Sequence, residues 1–271
     1  MTEIQQTAGD SRLPLANKLL RRSAASWFVT AAIGQWIFLA YVITAYGGSA
    51  VQGDFAEWNK YMSGAFKPGE TIGNLSAVAH IVLAVVILGG GPLQLIPWIR
   101  SRFPAFHRWT GRCYLVAVVS TAIVGLYMLA SRDIGELPLT LGFILQGILI
   151  AGFATMTLRN ALVRNIAVHR RWALRLFMVA SAVWFFRIIL MIWVLFTGGI
   201  GIDFATGKGP VLDVMAFGQY LPLVILEIYF RVQDKAAARG RFAMAALLFF
   251  AAIVTVLGVA MATLGMWFPQ E

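Results

Sequence analysis

The chain is written as long apolar runs separated by short polar breaks. Seven runs approach or exceed 20 residues, at about 24–46, 73–97, 110–131, 137–158, 171–197, 212–231 and 242–267. That length matches the hydrocarbon core of a bilayer. Within lipid such a segment satisfies its backbone by forming a helix. The pattern therefore predicts an all-α polytopic transmembrane helical bundle of seven spans. Residues 24–267 form a single transmembrane domain, with a tail at 1–23, a short tail at 268–271 and a four-helix core made by the second to fifth spans.

The breaks carry most of the remaining information. The longest, 47–72, places Phe55, Trp58 and Met62 at helical spacing opposite Asp54, Glu57 and Lys60. This predicts a short amphipathic helix in the membrane interface, serving as an anchor or as a lid. In the second span, GGGP at Gly89 to Pro92 predicts a kink, because Pro92 cannot donate to the carbonyl of Leu88 and three glycines weaken the turn before it. The third and fifth spans open alike, with HRWTGRCYLVAVVSTA from His107 and HRRWALRLFMVASAV from His169. The second and third spans, and the fourth and fifth, are thus candidates for a degenerate direct repeat.

Charge sets the orientation. The formal net charge is +10. In a soluble domain this would suggest nucleic acid, but here it follows topology. Seventeen of the 22 Lys and Arg residues fall in the N-terminal tail and in the breaks after even-numbered spans, with Arg175 just inside the fifth span. Lys60, Lys67, Arg132 and Lys208 lie on the other side, with most of the acids, including Asp54, Glu57, Glu70, Asp133, Glu136, Asp203 and Asp213. The positive-inside rule then predicts a cytoplasmic N-terminus and an outer C-terminus. The Arg21-Arg22 pair reads as an anchor of the first span, and no cleavable leader is expected because some twenty polar residues precede that span. A single cysteine, Cys113, excludes an internal disulfide and a multi-thiolate metal site.

Polar groups inside the spans are functional candidates because they are costly there. Arg187 lies near the middle of the fifth span. His80, Tyr127 and Gln146 fall in the same outer half, and the four make a candidate buried polar pocket. Gln35 is the one strongly polar residue in the middle of the first span. A second layer sits at the cytoplasmic edge, where His107, Arg108, Arg112, His169, Arg170, Arg171 and Arg175 open the third and fifth spans. Arginines at a helix N-terminus oppose the macrodipole, so either topology forces them there or an anion satisfies them together with the free N–H groups. His169 and Arg187 are eighteen residues apart and share a face, about 27 Å of rise apart, if the fifth helix is continuous. His107, Gly111, Tyr114, Val118, Thr121 and Gly125 form one stripe, and His80, Ala84, Ile87, Gly91 and Gln94 another. Their small residues allow close packing or room for a flat ligand. Glu227 pairs either with the basic cytoplasmic cluster or, more simply, with Arg231, four residues on.

The intramembrane His80, GPLQ (Gly91, Pro92, Gln94), HRWTGR-x-Y (His107, Arg108, Gly111, Arg112, Tyr114), HRRW-x-LR (His169, Arg170, Trp172, Arg175) and the Phe-Arg ending in Arg187 resemble a bacterial family of predicted membrane proteins, domain of unknown function 2306. The resemblance covers about residues 75–190. Ala173 departs from it, since family members often carry Met after that Trp. It implies a bacterial inner-membrane setting and brings no established activity. The four-helix, histidine-bearing core also looks like that of membrane b-type cytochromes.

Several functions remain open. A membrane redox protein would hold one haem b between His107 and His169 as axial ligands, with Arg108, Arg112, Arg170 and Arg175 on propionates or another anion and His80 at a quinone or proton site. A transporter, or a protein binding lipid or a small anion, would use the His80 and Arg187 pocket. An intramembrane enzyme would use histidine as acid or base, and a structural subunit would need none of these. Expected partners are the bilayer, with quinone or anionic lipid, and no nucleic acid; oligomeric state is left open.

Overall fold

The apolar runs become long helices in the computed structural model, which describes residues 11–62, 64–132, 136–204 and 206–268. In order these are α1 (Leu13–Val42), a π-helical turn (Ile43–Gly47), α2 (Gly48–Val51), a 3-10 turn (Phe55–Lys60), α3 (Thr71–Leu95), α4 (Pro97–Arg102) and α5 (Pro104–Ser131). They continue with α6 (Leu137–Leu162), α7 (Ile166–Ala180), α8 (Ala182–Thr197), α9 (Pro210–Gly218), α10 (Leu221–Lys235), α11 (Ala238–Ala262) and a second π turn (Thr263–Trp267). No strand occurs among the described residues beyond an isolated bridge between Asp203 and Lys208. Asp133 and the ends of both tails lie outside them.

Proline sets the punctuation. It occupies the first turn of α1, α4, α5, α6, α9 and α10, where its missing N–H is not needed. Ile96 and Phe103, each just before a proline, leave helical geometry and separate α3 from α4 and α4 from α5. Pro92 lies inside α3, which runs through Gly89–Pro92 to Leu95. Packing holds the turn, since Pro92 and Gly91 are buried against neighbouring helices.

Six helical stretches are long and apolar enough to cross a membrane, α9 and α10 together making one of them. A seventh is the pair α7 and α8, bent by 53° at Ser181. The fifth span is therefore not continuous, and the alignment of His169 with Arg187 along one straight face does not hold. No glycine or proline marks this bend. Tertiary hydrogen bonds hold it instead: Gln35 Nε2 donates to Ser181 Oγ at 2.9 Å and Gln146 Nε2 donates to the Val179 carbonyl at 3.0 Å.

Three packing relations order the bundle. α3 and α5 are antiparallel along a seam of glycines. The Tyr114 ring lies against Gly91, the Gln94 amide against Gly111 and the His80 imidazole against Gly125. The stripes of small residues are thus used for close helix packing at Gly91, Gly111 and Gly125. α6 and α7 form a second hairpin. α1 and α11 run parallel, from the contact of Asn17 with Arg241 at one end to Phe38 and Trp267 at the other, whose rings are 4.9 Å apart. α8 runs along the second halves of both, with Trp184 against Gly34, Ile188 against Gly258 and Met191 against Gly265.

The break between α2 and α3 folds onto the bundle. Trp58 is buried and donates through Nε1 to the Tyr46 carbonyl at 3.0 Å, so the amphipathic turn faces protein rather than the interface. Asn59 brackets the backbone of Phe66, and Asn74 that of Lys67, each by two hydrogen bonds. Arg132, only 4% exposed, clamps the segment to the end of α5 by donating to the Gly64 carbonyl and to Asn74 Oδ1.

Candidate functional site

Contacts gather the basic segments at one end of the bundle. Arg241 donates to Asn17, Arg171 pairs with Asp234 at 2.5 Å, and His107 and His169 lie within electrostatic range of each other. The two histidines come from different hairpins, His107 in the first turn of α5 and His169 in the first turn of α7. Asn165 caps α7 through its side chain, accepting from the Val168 N–H. His169 Nδ1 is 2.9 Å from the Thr157 carbonyl on α6. A carbonyl only accepts, so Nδ1 carries the proton, and in the neutral imidazole Nε2 then holds the lone pair. His107 Nδ1 is buried with no hydrogen-bond partner.

The arginines divide into two groups. Arg175 is engaged by Glu227 in a two-pronged pair, Nε to Oε1 at 2.5 Å and Nη2 to Oε2 at 2.9 Å, and lies over the Trp172 and Phe230 rings. Glu227 thus reaches across to α7 instead of bonding Arg231 on its own helix, because the planar guanidinium matches a carboxylate in two places at once. Arg171 is held likewise by Asp234. Arg108, Arg112 and Arg170 are exposed and have no carboxylate partner among the described residues. Arg112 lies over the Trp109 ring at 4.9 Å.

At the opposite end, the four residues of the expected pocket separate. His80 and Arg187 are within electrostatic range of each other. Tyr127 is 42% exposed on the outer face of α5. Gln146 is spent on the Val179 carbonyl at the α7–α8 bend. Arg187 Nη1 donates to the Val183 carbonyl on its own helix at 3.1 Å, and its guanidinium lies 5.2 Å from the Phe38 ring centre. The residues around it that the spacing did not single out are Phe38, Tyr41 and Tyr46 of the first helix. Aromatics in a span read as lipid-facing or interfacial, so only the fold reveals them.

Among the described residues no group of three His, Cys, Asp or Glu side chains could hold a metal ion by itself. A haem iron asks for only two axial side chains.

Residues 77–231, more than half the chain, match the family described as predicted membrane protein (DUF2306). No curated protein and no solved structure matches.

Proposed function

Because this chain belongs to the DUF2306 family of predicted membrane proteins, we propose a function for it within the bilayer, as an electron carrier holding one b-type haem at the end where the basic turns gather. The observation that carries this reading is that His107 and His169, imidazoles from two separate hairpins, lie within electrostatic range of each other, with His169 Nε2 left free by the bond from Nδ1 to Thr157. A backbone acceptor on the far nitrogen is what orients an imidazole toward a metal. The orphaned nitrogen of His107 is the second group that lacks a partner.

Bound there, a haem would supply a one-electron couple. The chain's own residues would fix and neutralise it. Arg108, Arg112 and Arg170 are free for propionates, while Glu227 and Asp234 hold Arg175 and Arg171 to structural roles. We read the setting as a bacterial inner membrane with the basic end cytoplasmic and membrane quinone as the exchange partner.

The test is a spectrum of protein purified in mild detergent from haem-replete cells, before and after dithionite. The expected result is a Soret band and a sharp α band on reduction, lost in His107→Ala and His169→Ala variants that still elute as folded protein. A colourless wild-type protein would end the haem reading.

A further inference from the structure

Arg187 raises a separate question. A charge in the middle of a membrane span is costly unless it is matched, and no carboxylate pairs with Arg187 among the described residues. A guanidinium has five N–H donors. Here Nη1 donates to the Val183 carbonyl, and Phe38 covers the group's face. Tyr41 and Tyr46 lie within electrostatic range, and their hydroxyls have no hydrogen-bond partner among the described residues. These donors lie deep in the fold: Tyr41 and Tyr46 are each 8% exposed, and His80 Nδ1 and Trp267 Nε1 are buried polar atoms without partners.

The surrounding helices are irregular at this level. The two helices beside Arg187 both widen into π turns at this level, Ile43–Gly47 after α1 and Thr263–Trp267 after α11; such turns recur at functional sites. Tyr61 stands edge-on to Tyr41 and Tyr46, with ring centres 5.9 and 5.5 Å away. Tyr61 also lines a cavity of about 330 Å³ with Thr44, Asp54 and Glu57. The cluster thus offers hydroxyl and guanidinium donors and one fixed positive charge to which no described carboxylate is paired, while the neighbouring opening carries Asp54 and Glu57.

We propose that Arg187, Tyr41 and Tyr46 form a binding site for a single oxyanion, a carboxylate or phosphate borne by a small solute or by an amphiphile in the membrane. The site is independent of the histidine pair. His80, beside Gly125, marks its level, and Gly125 is eighteen residues, about 27 Å of helix, from His107 on α5.

The experiment uses the full chain in nanodiscs of zwitterionic phospholipid. Acetate and inorganic phosphate are titrated by calorimetry, and spin-labelled stearate is followed by its immobilised fraction. Saturable binding of acetate or phosphate identifies a solute; saturable binding of stearate alone identifies an amphiphile. Arg187→Lys keeps the charge but loses the fork, and the double variant Tyr41→Phe/Tyr46→Phe removes two hydroxyls at nearly constant volume. Each is expected to weaken binding about tenfold. Should the lysine variant fail to fold, the phenylalanine pair carries the test alone. Absence of saturable binding for all three probes, or undiminished binding in the phenylalanine pair, would overturn the site.

Discussion

Single polar side chains decide where this bundle bends. Gln35 is 1% exposed, and Nε2 has Ser181 Oγ as its acceptor. Removing only the acceptor strands a buried amide, which costs about 1–3 kcal/mol in water-soluble proteins and about 0.6 kcal/mol on average between membrane helices. Ser181→Ala should therefore destabilise the protein by about 1 kcal/mol. Gln35→Leu combined with Ser181→Ala should lose less than Ser181→Ala alone, because the amide left without a partner is gone. Unfolding in mixed micelles titrated with sodium dodecyl sulfate measures both; a double variant as unstable as the sum of its parts would mean that the two groups are not coupled. Half of this pair was legible in the sequence, where Gln35 stands out in an apolar run. Ser181 was not, since serine is common in spans and only the bend gives it a role. Arg187 and His80 were equally visible, while Phe38, Tyr41 and Tyr46 were hidden by their suitability for lipid.

Helix positions were readable from run length, because that depends on local chemistry. The straightness of a helix depends on its neighbours, and there the local reading failed at the fifth span, where α7 and α8 part at an unremarkable serine. The seam between α3 and α5 shows why adjacent glycines differ. A methyl group on Gly90 would meet nothing within 4 Å, whereas one on Gly91 would come within 3.1 Å of the Tyr114 ring and 3.4 Å of Phe177. Both rings are buried and cannot retreat. Gly90→Ala should raise thermal stability in detergent, by up to about 1 kcal/mol from helix propensity. Gly91→Ala should lower it by about 1–3 kcal/mol through overpacking. Equal shifts in the two variants would show that the seam is not closely packed.

At the scale of the whole molecule, the number of crossings turns on the bent pair. Arg171 and Arg175 tie α7 to the C-terminal part of α10 at the basic end, while α8 carries Arg187 and Met191 alongside Phe38 and Gly265 near the other. The two helices thus continue one another along the bundle, as one broken span would, and a re-entrant loop would have returned α8 to the basic end. We therefore expect seven crossings and, from the distribution of charge, an N-terminus on the cytoplasmic side. Both statements are open to the same measurement. In a Cys113→Ser background, single cysteines at Ser11→Cys, Gln52→Cys and Lys208→Cys report the start of the chain, the break after α2 and the break after α8. With an impermeant maleimide on spheroplasts, Gln52→Cys and Lys208→Cys should label at once, and Ser11→Cys only after permeabilisation. Labelling of Lys208→Cys together with Ser11→Cys, and not with Gln52→Cys, would make the pair re-entrant. Labelling of Ser11→Cys alone in intact spheroplasts would reverse the orientation and place the histidine pair on the outer side of the membrane.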